Sequence, residues 1–300
     1  MPGSAHHSAG CRRARPVLAA LSLALAGATL SALPLPVHAA EGAAAPPHRV
    51  ITLAPHVTEI VHTAGAGESL VGTVSSSDFP PSARELPRVG DGILLNEERI
   101  IMLQPTLLIG WLRSGVALQT EALANHLGAD MIYSRPLSLR DIPAEVRRMG
   151  RLLGSEAVAL GAAAAMEARI DTLETRYADQ APVSVFIEVG SKPLYTIGAD
   201  PLLNDALRLC GAVNLYADTR IPAPRITLES VLVNQPQLII TTERPGTENA
   251  TRERWAAYGL AAALQGHVHS ADPDALYRPG PRLIDAAETL CPAIDAVRHG

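Results

Sequence analysis

The sequence predicts an α/β protein made of two parallel-sheet lobes joined by a long helical bridge. Apolar, β-rich runs alternate with short helical segments in both halves of the chain, while residues 139–178 are almost all helix-forming types. Alternating strands and helices are typical of a parallel sheet with helices on both faces. One short pattern also occurs once in each half, which indicates that the two lobes share a construction.

The N-terminal half contains four predicted strands. The first precedes "VTEIVHTAGAG", in which we expect Thr58 to cap a helix that ends at the glycines from Gly65. The strands are predicted from "HRVITLAP", "LVGTVSS", "LLIGW" and "ADMIYS". Together these elements predict an N-terminal lobe over residues 48–137.

Bridging helices and a second lobe follow. Pro143 suits a first helical turn, and Gly154 with Ser155 divides the predicted bridge, residues 138–180, into two helices. The C-terminal lobe, residues 181–300, has predicted strands in "PVSVFIEVG" and "QLIITT" and predicted helices in "LLNDALRLCGA" and "GPRLIDAAETLCPAIDAV".

The repeated pattern is a glutamate followed six residues later by Gln-Pro and then by an apolar run. Glu98 precedes Gln104-Pro105, and Glu229 precedes Gln235-Pro236, so the two glutamates are 131 positions apart (229 minus 98). Each copy predicts a short helix, a stop and a buried strand at a corresponding place in its lobe.

The N-terminus has the three parts of a signal peptide. A basic start contains Arg12, Arg13 and Arg15, an apolar run spans residues 16–37, and small residues lead to a cleavage site near Ala39. The alternative, a membrane anchor, is disfavoured by two prolines near the end of the run. Residues 1–39 are therefore a predicted signal peptide, and the mature protein is predicted to be exported and soluble.

Charge and cysteine content fit an exported protein better than a nucleic-acid-binding one. Removing three leader arginines from 25 basic residues leaves 22 against 30 acidic residues, a net charge of −8, which is a poor balance for binding phosphates. Cys11 lies in the leader. Cys210 and Cys291 form a predicted disulfide, since disulfides persist outside the cytoplasm; two buried free thiols are the alternative.

No enzyme is predicted. "GAGESLVG" lacks the third glycine of a dinucleotide loop, and "SSSDFPP" has no nucleophile elbow. His267, His269 and His299 lack convergent acids, so no metal site is predicted. We likewise expect no intrinsic cofactor.

With these residues in hand, the chain resembles the periplasmic substrate-binding proteins of ABC importers for vitamin B12, haem and iron-siderophores, the group with a rigid helical backbone. The resemblance covers residues 48–298 and is nearest to the vitamin B12-binding branch. It depends on "RVITLAPHVTEI", "SDFPPSARELPRVGD", "NEERIIMLQPTLLIGW", "DALRLCGAVNL" and "RITLESVLVNQPQLII".

The resemblance implies a ligand cleft between the lobes and a function. It implies capture of cobalamin (vitamin B12) or a related corrinoid in the periplasm and delivery to the permease subunits of an ABC importer, so that the protein meets the inner membrane only peripherally. The alternatives are a haem- or siderophore-binding protein of the same transporter class, or an exported non-transport protein on the same fold.

The resemblance also implies particular residues. Trp111 matches a corrin-contacting tryptophan, and Tyr195 matches an aromatic residue of the second lobe; core packing is the alternative for both. Phe79 stands where the B12 and haem branches carry a tyrosine. Pro55 and His56 follow the first strand and are predicted to line the cleft, although a capping or solvent-facing role is the alternative for His56. Gly92 stands where the B12-binding branch can carry a further tryptophan of the cleft, and this difference leaves the identity of the ligand open.

Finally, the resemblance implies that one glutamate on each lobe docks against permease arginines. The matching residues are Glu98 and Glu229, the two acids of the repeated pattern. The alternative is that both are solvated acids favoured at a helix start by the helix dipole.

Overall fold

The computed structural model describes residues 48–113, 115–177, 179–242 and 248–300. The predicted signal peptide lies outside the described residues. Residues Pro46–Gly300 form one compact unit, so the boundaries of the two lobes remain a prediction.

The N-terminal part contains a four-stranded sheet. Its strands are β1 (Val50–Thr52), β2 (Leu70–Thr73), β3 (Leu107–Gly110) and β4 (Asp130–Tyr133), which pair in the order β2-β1-β3-β4. Every pairing is parallel, and all residues of β1 and β3 are buried, as expected for central strands with both faces covered. The four strands predicted from the sequence are confirmed.

Three helices accompany this sheet: α1 (Pro55–Thr63), α2 (Glu97–Met102) and α3 (Val116–Leu127). The prediction that Thr58 caps α1 is wrong, because the helix already begins at Pro55. Proline favours this first helical position, where its missing N–H has no partner to lose. The Thr58 hydroxyl is instead buried and lies 2.7 Å from Thr52 Oγ1 and 2.9 Å from Thr73 Oγ1.

Two long helices, α4 (Asp141–Leu153) and α5 (Glu156–Tyr177), form the predicted bridge. Gly154 separates them in a left-handed conformation (φ +77°), which glycine adopts without steric cost. Ion pairs join the exposed sides of the two helices, Arg147 with Glu167 and Arg140 with Glu174. The division of the bridge at Gly154 is therefore confirmed.

The second sheet is mixed rather than purely parallel. It contains β5 (Val183–Ser191), β6 (Leu194–Thr196), β7 (Ala212–Asn214), β8 (Leu238–Thr241) and β9 (Val268–Ser270), in the order β6-β5-β8-β9 with β7 also paired to β5. The pairing of β5 with β6 is antiparallel and the others are parallel. Only Lys192 and Pro193 connect β5 to β6, too few residues for the crossover that a parallel pair needs.

The C-terminal part contributes six further described helices: α6 (Pro201–Leu209), α7 (Leu228–Asn234), α8 (Glu248–Ala257), α9 (Ala261–Leu264), α10 (Pro273–Leu276) and α11 (Arg282–His299). Within the described ranges, α6, α7 and α11 are helices that the sequence predicted. The main core cluster includes residues of both sheets, of the bridge and of α11.

The repeated pattern folds the same way in both places. Helices α2 and α7 end before Gln104 (φ +47°) and Gln235 (φ +44°), the only non-glycine residues with positive φ in the described ranges. A left-handed residue ends a helix, and the proline after it cannot continue one. The strands that follow, β3 and β8, are interior strands of their sheets. The predicted helix, stop and buried strand are thus confirmed twice.

A disulfide joins Cys210, which caps the C-terminus of α6, to Cys291 inside α11. Both residues are fully buried, and the bond closes a chain segment with a sequence separation of 81 residues. The predicted pairing is therefore present in the structure.

Replacing both cysteines with alanine should lower the free energy of unfolding by about 2–5 kcal/mol, because the unfolded chain is no longer constrained by the closed loop. Urea unfolding of the oxidised wild type and of the Cys210→Ala, Cys291→Ala double variant measures this. The reduced wild type serves as the control. Its free energy of unfolding should match that of the variant, apart from the cost of the two cavities that the missing sulfur atoms leave. Equal midpoints for oxidised and reduced wild type would contradict the expectation.

Candidate functional site

The first candidate site is an apolar cavity between segments from the two sheets. It has a volume of about 210 Å³. One side comes from the loops after β3 and β4, at the carboxyl ends of parallel strands where α/β sheets usually bind ligands. The other side comes from the start of α6 and from the segment between α10 and α11. The principal lining residues are Trp111, Leu112, Arg135, Asp200, Leu202 and Tyr277.

A second cavity, of about 280 Å³, shares Trp111 and Leu112 with the first. Gly92 and Ile93 line it as well, and the Ile93 side chain is 73% exposed. Gly92 has φ +93° and no side chain, so the cavity stays open where a bulky residue would narrow it. The Trp111 ring, 43% exposed, therefore contributes to both cavities and has surface available to a ligand.

His56 lies behind the Trp111 ring rather than in either cavity. The two ring centroids are 5.3 Å apart at an interplanar angle of 75°, and the histidine is only 1% exposed. Its Nε2 lies 3.3 Å from the Ser134 carbonyl oxygen. Burial lowers the pKa of His56 to about 4, and the positive charge of Arg278 acts in the same direction. His56 is thus a neutral support for the tryptophan ring.

Because His56 is buried in its neutral form, the folding stability of the protein should depend on pH. The unfolded chain binds a proton at His56 near its ordinary pKa of 6.5, whereas the folded protein does so only at about 4. The contribution of His56 to the free energy of unfolding is therefore fully present above pH 6.5. It is lost as the pH is lowered towards 4, by up to about 3 kcal/mol. His56→Gln should lose this part of the pH dependence while His62 and His269, whose pKa values burial also lowers, remain in both proteins.

Urea unfolding at pH 7 and pH 4.5 gives the measurement. We expect the difference between the two pH values to be smaller for His56→Gln than for the wild type. The same pH difference in both proteins would contradict the buried, neutral state of His56.

The remaining predicted ligand residues are more scattered. Pro55, half-buried, begins α1, and Phe79 is 42% exposed with the Arg282 guanidinium 4.6 Å from its ring centroid. Tyr195, 38% exposed, lies on β6. Neither cavity is lined by Pro55, Phe79 or Tyr195. The structure brings Trp111 and His56 together, and the ligand roles of all five residues stay predictions.

Sequence reasoning missed several cavity residues, among them Arg135 and Tyr277. The signal for Arg135 was available, because it follows the predicted strand "ADMIYS" and so lies at a strand's carboxyl end. Tyr277 had no comparable signal, since it lies in a loop far along the chain. Its side chain is partly enclosed, and burial raises the pKa of its phenol to about 12.

A buried ionic cluster lies beside the cavities and connects α1 with the segment around α10 and α11. Arg282 donates from Nη2 and Nε to the two carboxylate oxygens of Glu59, at 2.7 and 3.0 Å. Arg278 donates to Asp78 at 2.5 Å and to Asp274 at 2.6 Å. Glu59 is 1% exposed; burial raises the pKa of its carboxyl, and the hydrogen bonds from Arg282 oppose this rise.

Glu98 and Glu229 occupy equivalent positions, each being the second residue of its short helix. Both are exposed to solvent. The residues one turn later, Met102 and Val233, are each 81% exposed. The pKa of the Glu229 carboxyl is lowered by hydrogen bonds from its own backbone N–H and from Thr227. The two copies of the pattern thus present the same kind of surface, an acid beside an apolar side chain.

Among the described residues, no group of three or more His, Cys, Asp or Glu is arranged to hold a metal ion. None of the described helices is long and apolar enough to cross a membrane.

Comparison with known proteins defines the class of this protein. The periplasmic binding protein family matches residues 50–275. The chain therefore belongs to the periplasmic binding protein family. A vitamin B12-binding protein of Vibrio cholerae is 35% identical over 246 residues, which cover 82% of this chain and 88% of the relative. The vitamin B12-binding protein of Pectobacterium carotovorum is 34% identical over 256 residues, covering 85% and 91%.

Solved structures agree with this assignment. The crystal structure of BtuF, the periplasmic vitamin B12 binding protein of Vibrio cholerae, matches with a TM-score of 0.77 and 33% identity, and covers 85% of this chain and 99% of that one. The periplasmic heme-binding protein RhuT of Roseiflexus, in its apo form, matches with a TM-score of 0.71 and 25% identity, covering 84% and 99%. The predicted fold class is confirmed.

Proposed function

We propose that this protein captures cobalamin in the periplasm and delivers it to an ABC importer. The observation that carries the proposal is the exposed ring of Trp111, shared by two adjoining cavities, in a chain 35% identical to a vitamin B12-binding protein. Family membership supports a carrier, and we expect no catalytic activity.

The chemistry of the cavities suits a large, flat ligand with an apolar face. A corrin ring presents such a face, and aromatic side chains supply large apolar contact area with defined geometry. His56 holds the Trp111 ring from behind by an edge contact, which reduces the freedom that the ring would lose on binding. The first cavity is mostly apolar, with few polar groups to fix orientation, as in many small-molecule sites.

Haem is the second candidate, favoured by one observation, the Tyr277 phenol in the first cavity. A phenolate oxygen can ligate haem iron. The pKa of Tyr277 is raised to about 12, however, so its ionisation at neutral pH is opposed by the surrounding protein. Phe79 has no oxygen, and His56 is buried against the Ser134 carbonyl. These features favour a corrinoid over haem.

Replacing Trp111 with alanine should weaken cyanocobalamin binding by roughly 1–3 kcal/mol, or about 5- to 150-fold in Kd, because the aromatic contact is lost. Isothermal titration calorimetry of both proteins measures the change. Tyr258→Ala is the matched control: this aromatic residue is 51% exposed, packs beside Trp255 and lines neither cavity. Equal cyanocobalamin affinities for Trp111→Ala and the wild type would contradict the proposed site.

Delivery to the importer adds a second part to the proposal. We propose that Glu98 and Glu229 contact cationic side chains on two permease subunits. The support is their matched, exposed positions on helices that repeat at a spacing of 131 residues. If the two permease subunits are similar, each can bind one acid, supplied by one half of a two-lobed protein. The net negative charge of the mature chain would also speed encounter with a basic surface.

A further inference from the structure

We infer that Arg135 is an anion-binding subsite of the cleft and that it takes the phosphodiester of the cobalamin nucleotide loop. This inference rests on the proposed function and names the polar contact that orients the ligand there. Arg135 lies in the loop after β4, is exposed, and lines the same cavity as Trp111.

The backbone around Arg135 is fixed on both sides by hydrogen bonds. On the N-terminal side, Ser134 donates its N–H to the Gly110 carbonyl at 2.9 Å, and Arg148 donates to the Tyr133 carbonyl at 2.7 Å. On the C-terminal side, the N–H groups of Leu137 and Ser138 donate to one carboxylate oxygen of Asp141, at 2.8 and 3.0 Å. The backbone that carries the Arg135 side chain therefore has little freedom to move.

The Arg135 guanidinium has no bonding partner among the described residues. In the part of the chain that the structure describes, no hydrogen bond, ion pair or ring contact engages the Arg135 side chain, whereas most of its neighbours in the bridge and in α11 are paired with acids. The other charged residue of the cavity, Asp200, accepts the Leu203 N–H at 2.8 Å and so caps α6. Among the described residues that line this cavity, Arg135 is thus a free cation beside an apolar wall.

This arrangement matches a ligand with a large apolar ring and one anionic group. Cobalamin has such a group in the phosphodiester that links the corrin to its nucleotide base. Guanidinium forms paired, charge-assisted hydrogen bonds with phosphate oxygens, and it keeps its charge at all physiological pH values. Haem propionates share the anionic chemistry, so the test must separate the two sources.

The test compares two corrinoids that differ in the phosphodiester. Cyanocobalamin has it, and dicyanocobinamide lacks the whole nucleotide loop. Arg135→Ala should weaken cyanocobalamin binding about tenfold, as expected for loss of a hydrogen bond to a charged group, and leave dicyanocobinamide binding unchanged. Arg151→Ala is the control, since Arg151 is exposed on α4 and lines neither cavity. Both affinities are measured by calorimetry, at low and at high salt.

Each outcome decides the inference. A loss confined to cyanocobalamin, and smaller at high salt, supports the phosphodiester contact. An equal loss for both corrinoids, or no loss for either, would overturn it while leaving cobalamin capture intact. Failure of the wild type to bind either corrinoid would overturn the proposed function itself. In that event, an Arg135→Ala effect on haemin affinity would assign the subsite to propionates instead.

Discussion

The Glu98→Ala, Glu229→Ala double variant is expected to bind cyanocobalamin like the wild type and to lose most cobalamin uptake in cells. Both residues are exposed and neither lines a cavity, so folding and ligand binding should depend little on them. At a permease surface, the same carboxylates would form charge-assisted pairs with arginines, and these pairs would be lost together. Uptake of labelled cyanocobalamin by cells that lack their own binding protein gives the measurement.

A matched control comes from two other exposed acids in first helical turns, Glu97 of α2 and Glu156 of α5. The Glu97→Ala, Glu156→Ala variant removes the same charge and should sustain normal uptake. Normal uptake by the Glu98, Glu229 variant would contradict docking through these residues. A large loss of its thermal stability would instead show that the two acids serve to start their helices.

Replacement of Arg282 by methionine is expected to cost about 3–5 kcal/mol of folding free energy, the largest stability effect we predict. Methionine retains much of the side-chain volume but leaves the Glu59 carboxylate, 1% exposed, without its two short hydrogen bonds. The remaining cation, Arg278, lies 3.6 Å from Glu59 and is already bound to Asp78 and Asp274. Urea unfolding at neutral pH measures the loss.

Two variants separate this effect from general damage. Arg140→Met breaks an exposed ion pair with Glu174 on the bridge and should cost at most about 1 kcal/mol. The Glu59→Leu, Arg282→Met double variant removes both buried charges and should recover much of the loss. If Arg282→Met unfolds at the same urea concentration as Arg140→Met, the buried pair is not what holds α1 against α11.

Much of the fold was predictable because its signals are local. The β-rich runs of both sheets, the break of the bridge at Gly154 and the two Gln-Pro stops each depend on a few adjacent residues. The antiparallel β6 was missed because it has only three residues, too few to show an alternating pattern. The start of α1 was misplaced because proline at the first helical position outweighs the capping tendency of Thr58.

The site was predictable only in part, because its cavities are assembled from loops far apart in the chain. Trp111 could be placed from its position at the end of a strand. The burial of His56 behind that ring depends on Ser134, Arg278 and Gly280, whose proximity no local pattern encodes. The same holds for the pair of Glu59 and Arg282, separated by 223 residues.

The identity of the ligand is best tested by calorimetric titration of the purified wild-type protein with cyanocobalamin, alongside a spectroscopic titration with haemin. We expect saturable binding of one cyanocobalamin per protein at micromolar concentration or below, and no comparable shift of the haemin Soret band. No heat with micromolar cyanocobalamin, together with a saturable Soret shift, would contradict cobalamin as the ligand.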